Sequence, residues 1–384
     1  MIPLRNLKRF AGKTLRQPGY AWRVFTRRLK ANLCYLASKG TSSPPESITL
    51  FLTHRCNLRC IMCGQWGEGG VTRQQSAQYV RQELSSQELR SIIEDVSSFK
   101  PNITLFGGEP LLHPGCIEAI KHIKQKAMHC LMITNGSMIE DSAEEIAGSG
   151  LDELNVSLDG NASLHDQIRG MPGLFERIMR GLKKVKAAKE SLKTKKPLVN
   201  LQCTINRLNY KFLEQMTQVA GDAGADSLTY HNLIFIEKEL IERQKKFNEE
   251  LGCDSLDWEG FISKPGIDPV ILHEKIQQIL SAKYAFNVDF YPNFSYKELL
   301  AYYQDPGYKP AGYSGRCLSP WIAAYIFPDG EVRPCLNFSY SFGNLKEEKF
   351  LKVWNGDDAI KFRLALRANK SFPVCARCTE LYRY

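Results

Sequence analysis

At 384 residues, 43% hydrophobic and 24% charged, the chain has an ordinary globular composition and enough material for a catalytic domain with appendages. No stretch approaches the ~18 apolar residues that would span a bilayer, which leaves soluble or peripheral readings. The net charge of +10 would point to nucleic acid if it were spread out, but residues 1–40 hold ten Lys or Arg and no Asp or Glu, while the other 344 residues carry 41 of each sign.

Pro18-Gly19 divides the first forty residues into two potentially helical pieces. In the second, Trp22, Phe25, Leu29, Leu33 and Leu36 recur at helical spacing on one side, with Arg23, Arg27, Arg28 and Lys30 mostly elsewhere. This predicts a basic amphipathic helix. Two roles fit residues 1–40. One is peripheral contact with the inner face of a membrane, where each base contributes up to ~1 kcal/mol, and with it a lipid or membrane-tethered substrate; the other is packing back onto the body. Nucleic acid is not expected, because the bases sit on a Trp/Phe/Leu-faced helix and the body is neutral. Residues Gly40 to Pro45 read as a linker.

From residue 47 to about 235, short apolar strands alternate with helical stretches. The strands are Ile48–Thr53, Ile103–Phe106, Cys130–Thr134, Leu154–Leu158, Val199–Ile205 and Ser227–Leu233. Such repetition implies an α/β fold with a parallel sheet, open or closed into a barrel, whose site gathers at the carboxyl ends of the strands. Residues 236–312 break the repetition and are dense in aromatics, among them Tyr291, Phe294, Tyr302, Tyr303 and Tyr308; they read as a packing surface between domains or as a pocket wall. Residues 313–384 form a small terminal unit with four of the twelve cysteines. The chain is long and shows no signal-peptide core, so a reducing cytoplasm is expected, with clustered cysteines holding metal or an iron–sulfur cluster.

The loop after the first strand carries Cys56-x3-Cys60-x2-Cys63. Three thiolates leave one iron of a four-iron cluster open to a ligand. Tetrahedral zinc is the alternative, with His54 as a fourth ligand. The second strand ends in Gly107-Gly108-Glu109-Pro110, the third in Thr134-Asn135-Gly136, and the fourth in Ser157-Leu158-Asp159, followed by Arg169. On the fifth and sixth strands, Gln202, Thr204, Asn206 and His231 are candidates for the mouth, His231 among them as a catalytic group. A Cys317-x12-Gly330-x4-Cys335 pattern and Cys375-x2-Cys378 close the chain; four cysteines suit a complete cubane or a structural zinc.

Together these motifs resemble the radical S-adenosylmethionine (SAM) superfamily, with a terminal unit similar to its twitch and SPASM modules. The resemblance implies a partial (β/α)6 TIM-like barrel, a small C-terminal auxiliary-cluster domain and the N-terminal basic amphipathic arm. It implies a [4Fe–4S] cluster on Cys56, Cys60 and Cys63, with SAM chelating the open iron. SAM would be held by Gly107, Gly108, Glu109, Pro110, Thr134, Asn135, Ser157, Asp159 and Arg169, the Glu109 carboxylate taking its ammonium group and Ser157 and Arg169 its carboxylate. A second, auxiliary [4Fe–4S] cluster would sit on Cys317, Cys335, Cys375 and Cys378. A reductant such as flavodoxin or ferredoxin and an organic substrate, which no motif identifies, are implied as partners. The expected activity is that of an oxidoreductase: reductive cleavage of SAM, hydrogen abstraction by a 5′-deoxyadenosyl radical, and oxidation of the substrate radical through the auxiliary cluster, on a lipid, sugar-like or natural-product substrate. Peptide maturation or epimerisation, and a non-catalytic iron–sulfur or zinc protein, are the alternatives.

Overall fold

A computed structural model describes residues 18–310 and 315–383, so the first seventeen residues of the basic arm lie outside the described residues. Helix α1 (Pro18–Ala37) precedes strand β1 (Ser47–Phe51). Strands β2 (Asn102–Phe106), β3 (Cys130–Thr134), β4 (Glu153–Ser157), β5 (Leu198–Thr204) and β6 (Ser227–His231) follow, all six within two residues of the expected bounds. The crossovers are α2 (Ser86–Val96), α3 (Cys116–Gln125), α4 (Ile139–Gly148), α5 (Ala162–Arg169) with α6 (Leu174–Ser191), and α7 (Gln215–Asp222). They form for local reasons. In α2, Leu89, Ile92, Ile93 and Val96 give one buried face, and the Ser85 hydroxyl accepts the Glu88 N–H while the Glu88 carboxylate accepts that of Ser85.

The parallel sheet extends past the sixth strand. After helices α8 (Lys238–Leu251) and α9 (Pro269–Ser281), strand β7 (Asn287–Tyr291) pairs in parallel with β6. At the other edge, β8 (Ala323–Ile326) pairs in parallel with β1, and β9 (Val332–Arg333) turns back antiparallel to β8. The order is β7-β6-β5-β4-β3-β2-β1-β8-β9. The expected α/β fold with a parallel sheet and a small C-terminal unit is therefore present, and the terminal unit shares a continuous sheet with the barrel strands.

Much of the aromatic segment packs against the barrel and the terminal unit. Helix α10 (Tyr296–Gln304) buries Tyr302 and Tyr303, whose hydroxyls reach the Leu233 carbonyl at 2.8 Å and Asn232 Oδ1 at 2.9 Å. Arg377, between the last two cysteines, is buried against it, donating to the carbonyls of Tyr302 and Asp305 at 2.9 and 2.8 Å and to Glu237 Oε2 at 2.9 Å. The expected linker is likewise held: the Ser42 N–H donates to Asn355 Oδ1 at 2.8 Å, the Trp354 indole to the Ser43 carbonyl at 2.9 Å, and Arg363 Nη1 on helix α11 (Asp357–Asn369) to the Gly40 carbonyl at 3.2 Å.

Helix α1 crosses the amino ends of the strands. Its inner side meets residues that stand just before β1, β2 and β8. Arg28 pairs with Glu46 at 2.9 Å, Arg27 donates to the carbonyls of Phe99 and Lys100, and Tyr35 meets Trp321 edge-on with ring centroids 4.9 Å apart.

Candidate active site

Past the end of β1, the cysteine loop is fixed by Trp66. Its indole donates to the His54 carbonyl at 2.8 Å, and the Arg59 guanidinium lies 4.3 Å from its ring centroid. Each sulfur of the triplet receives N–H donors: Cys56 from Asn135 Nδ2 at 3.8 Å and from the Leu58 backbone, Cys60 from Arg169 Nη1 at 3.7 Å, and Cys63 from the Trp66 backbone at 3.3 Å. Donors aimed at sulfur are what cluster thiolates use, since the hydrogen bond stabilises their negative charge. Burial, with the neighbouring thiols and carboxylates adding to it, pushes the Cys56 thiol up to about 11 and raises Cys60, so the deprotonated form belongs with a bound metal. His54, the conceivable fourth zinc ligand, faces elsewhere: its ring stacks on Tyr79 at 4.4 Å and packs on Phe51 at 5.0 Å, and burial lowers it to about 4.

The Gly107-Gly108 turn is laced to that loop. The N–H groups of Gly108 and Glu109 donate to the carbonyls of Thr53 and Arg55, both at 2.8 Å. A Cβ on Gly108 would lie 2.1 Å from the Arg55 carbonyl, so only glycine permits this approach. Glu109 is fully buried and spends its oxygens on the chain itself, accepting Thr134 Oγ1 at 2.8 Å, the Asn135 N–H at 2.7 Å and the Leu111 N–H at 3.1 Å. Burial raises its carboxyl to about 7 against the pull of those donors. Glu109, Thr134, Asn135 and Cys56 thus form one connected network from the end of β2 to the triplet.

A second network descends from β4. Asp159 is fully buried, accepting Arg169 Nε at 2.6 Å and the Thr204 N–H at 2.8 Å. Arg169 therefore bridges a carboxylate and the Cys60 sulfur, so the guanidinium expected to face SAM's carboxylate is engaged by the protein on two sides. Ser157 sits half-buried at the end of β4, level with Gln202 on β5.

At the mouth, the His231 ring is paired with Gln202 Oε1 and meets Tyr291 edge-on at 5.9 Å. Burial lowers His231 to about 4, so near neutral pH it is an uncharged hydrogen-bonding group rather than an acid. Thr204 shares the half-buried face of β5 with Gln202. Asn206 does not join them: it is buried, its Nδ2 donating to the Thr204 carbonyl and its Oδ1 accepting the Leu208 N–H, both at 3.0 Å.

In the terminal unit, Gly330 lets the hairpin between β8 and β9 turn, with φ at +92° and no room for a Cβ beside Asn344 Oδ1, 2.6 Å away. The hairpin returns Cys335 to the neighbourhood of Cys317, Cys375 and Cys378. All four thiols are pushed up by burial, Cys378 to about 12, and Cys317, Cys335 and Cys375 are raised further by neighbouring thiols of the same set. A buried set of four sulfurs fits a cluster with no open position. Arg377 and Trp66 are absent from the sequence expectations; their signal was a charge inside Cys-x2-Cys and an aromatic residue three positions past Cys63.

Residues 50–195 match the radical SAM superfamily, and residues 317–379 the SPASM iron–sulfur cluster-binding domain. A probable GTP 3′,8-cyclase of Saccharolobus solfataricus is 30% identical over 226 residues, which cover 56% of this chain and 68% of the relative. The chain belongs to the radical SAM superfamily. As a radical SAM enzyme with a SPASM domain, it works with a [4Fe–4S] cluster, SAM and further iron–sulfur. It is also similar to the AdoMet-dependent heme synthase and the Fe-coproporphyrin III synthase of Methanosarcina barkeri, at 25% and 26% identity over 83% and 86% of this chain and 85% and 79% of theirs. Among solved structures, Streptococcus suis SuiB bound to its precursor peptide SuiA aligns with a TM-score of 0.60 at 14% identity, over 88% of this chain and 71% of SuiB. The native anSMEcpe with bound AdoMet aligns at 0.56 and 16%, over 88% and 94%. These likenesses place the radical SAM protein in the partial-barrel fold.

Proposed function

We propose that this radical SAM enzyme catalyses a net oxidation of an organic substrate held at the mouth beside His231 and Gln202. The observation that carries the reading is the second buried set of four cysteines, fixed to the barrel by the pairing of β8 with β1. Cys56, Cys60 and Cys63 would hold the first [4Fe–4S] cluster, which supplies the electron that cleaves SAM to methionine and a hydrogen-abstracting 5′-deoxyadenosyl radical. Cys317, Cys335, Cys375 and Cys378 would hold the second, which supplies an acceptor for the electron left on the substrate. Around them, Asn135, Arg169 and the Trp66 backbone donate to the triplet sulfurs. Glu109 orients Thr134 and Asn135, Gly108 lets its turn close onto the backbone of the cysteine loop, and neutral His231 with Gln202 offers polar contacts to the substrate.

The names of the two Methanosarcina barkeri relatives make a heme-type tetrapyrrole the first substrate class we assign to the mouth. The test is anaerobic turnover with SAM limiting. One oxidised product per 5′-deoxyadenosine is expected, and a redox-neutral product would overturn the oxidation. Titration with iron coproporphyrin should shift its visible absorption; an unchanged spectrum removes the tetrapyrrole assignment and leaves the oxidation standing.

A further inference from the structure

The outer face of α1 is apolar and bare. Ala31 and Tyr35 are buried against the body, with Arg28 held on Glu46. On the opposite side Trp22, Phe25, Leu29, Leu33 and Leu36 are exposed by 67%, 47%, 50%, 55% and 66%. Their spacing keeps all five on one stripe along a helix about 30 Å long. The other exposed large hydrophobic residues are scattered, such as Ile61, Phe212 and Tyr296, whereas a continuous stripe marks a docking surface.

Charge selects the occupant. Lys30 is exposed beside the stripe, and the segment before α1 contributes Arg5, Lys8, Arg9, Lys13 and Arg16 with no acidic residue. A second copy of this chain would carry the same ten Lys and Arg in residues 1–40, again with no acidic residue there to offset them. An anionic bilayer accepts both halves: Trp and Phe suit the depth of the headgroups, and the bases suit their phosphates.

We infer that α1 is an anchor that lays its Trp22–Leu36 stripe on an anionic lipid surface. The orientation follows from the fold. The inner side of α1 meets residues just before β1, β2 and β8, while the cysteine triplet follows the carboxyl end of β1, so the mouth faces away from the bilayer. Anchoring and substrate entry are thereby separated. The arm does not feed a lipid into the barrel, in contrast to the link expected from sequence, and the substrate enters from the aqueous side.

Flotation of the full-length chain with phosphatidylcholine vesicles containing about 30% phosphatidylglycerol tests this, since such vesicles carry the anionic headgroups the bases need. Wild type should float with these vesicles and not with pure phosphatidylcholine. The double substitution Leu29→Glu with Leu33→Glu, at exposed positions, should reduce recovery at least tenfold while leaving the thermal melt unchanged. Equal recovery of the double variant and wild type, or recovery of wild type no better than without vesicles, overturns the inference. So does a wild-type dimer in light scattering that the double variant abolishes without any flotation, which would assign the stripe to a second copy. Flotation requires no turnover, so its failure leaves the radical SAM chemistry untouched.

Discussion

Arg169 joins a buried carboxylate to a cluster cysteine, and its removal would strand Asp159 in a dry site. Arg169→Ala is therefore expected to lower unfolding free energy by about 3–5 kcal/mol, read from urea midpoints, with Asp159→Asn partly restoring it in the double variant. A loss under about 1 kcal/mol would mean that water already reaches the pair. His165 gives a pH signature. It is buried, its Nδ1 accepts the Asp159 N–H at 3.1 Å, its Nε2 has no hydrogen-bond partner, and burial lowers it to about 3. The unfolded chain takes up that proton near 6.5, so below that value unfolding binds protons and stability falls as pH falls. Glu109, raised to about 7, works the other way: its contribution is present at low pH and declines as pH rises from 4.5 through 7. Between pH 6.5 and about pH 5, wild type should lose on the order of 1 kcal/mol more than His165→Asn in thermal melts, and parallel profiles would contradict the assignment. Cys56, Glu109, Asp159 and Arg169 were singled out in the sequence by their resemblance to superfamily motifs, the first three on loops just past strand ends and Arg169 at the end of α5. Their mutual bonds could not be read there, because Arg169 reaches Cys60 across 109 positions and only the fold sets that distance.

Among the elements, the strands were the most readable, because each is short and keeps one fully buried apolar face, such as Ile103 with Leu105 or Val199, Leu201 and Cys203. β7 escaped because Asn287 and Asp289 dilute its apolar character and its ladder partner is distant. α1 shows a different limit. Periodicity reveals that a helix has two unlike sides, yet says nothing of which one meets the body, and here Arg28 and Tyr35 face inward while Leu29 and Leu33 face water. The short helical turn holding Cys375 depends on Arg377, whose guanidinium serves Tyr302, Asp305 and Glu237 and stacks 4.2 Å from the Phe235 ring centroid. Arg377→Ala should cost about 3 kcal/mol. With the ligand pair loosened, reconstituted protein should carry about four irons in place of about eight. Full iron content in that variant would show that the turn holds itself.

Taken whole, the molecule has the cysteine triplet, Cys317 and Cys335 on loops flanking one hydrogen-bonded sheet, with β8 matched residue for residue to β1 from Ser47 opposite Ala323 to Leu50 opposite Ile326. The terminal unit is also the lid on an open flank. Cutting the chain after residue 312 would remove β8 and leave the backbone of Ser47–Phe51 as a bare ladder edge, with the apolar residues Ile48, Leu50 and Phe51 along it. Such a truncated barrel is expected to precipitate or pair edge to edge, and a monodisperse monomer on light scattering would refute this. Exchanging the terminal module with that of a relative therefore requires an edge strand that matches β1 in register; a swap that keeps all four cysteines but loses that match would yield aggregates in place of a re-tuned enzyme.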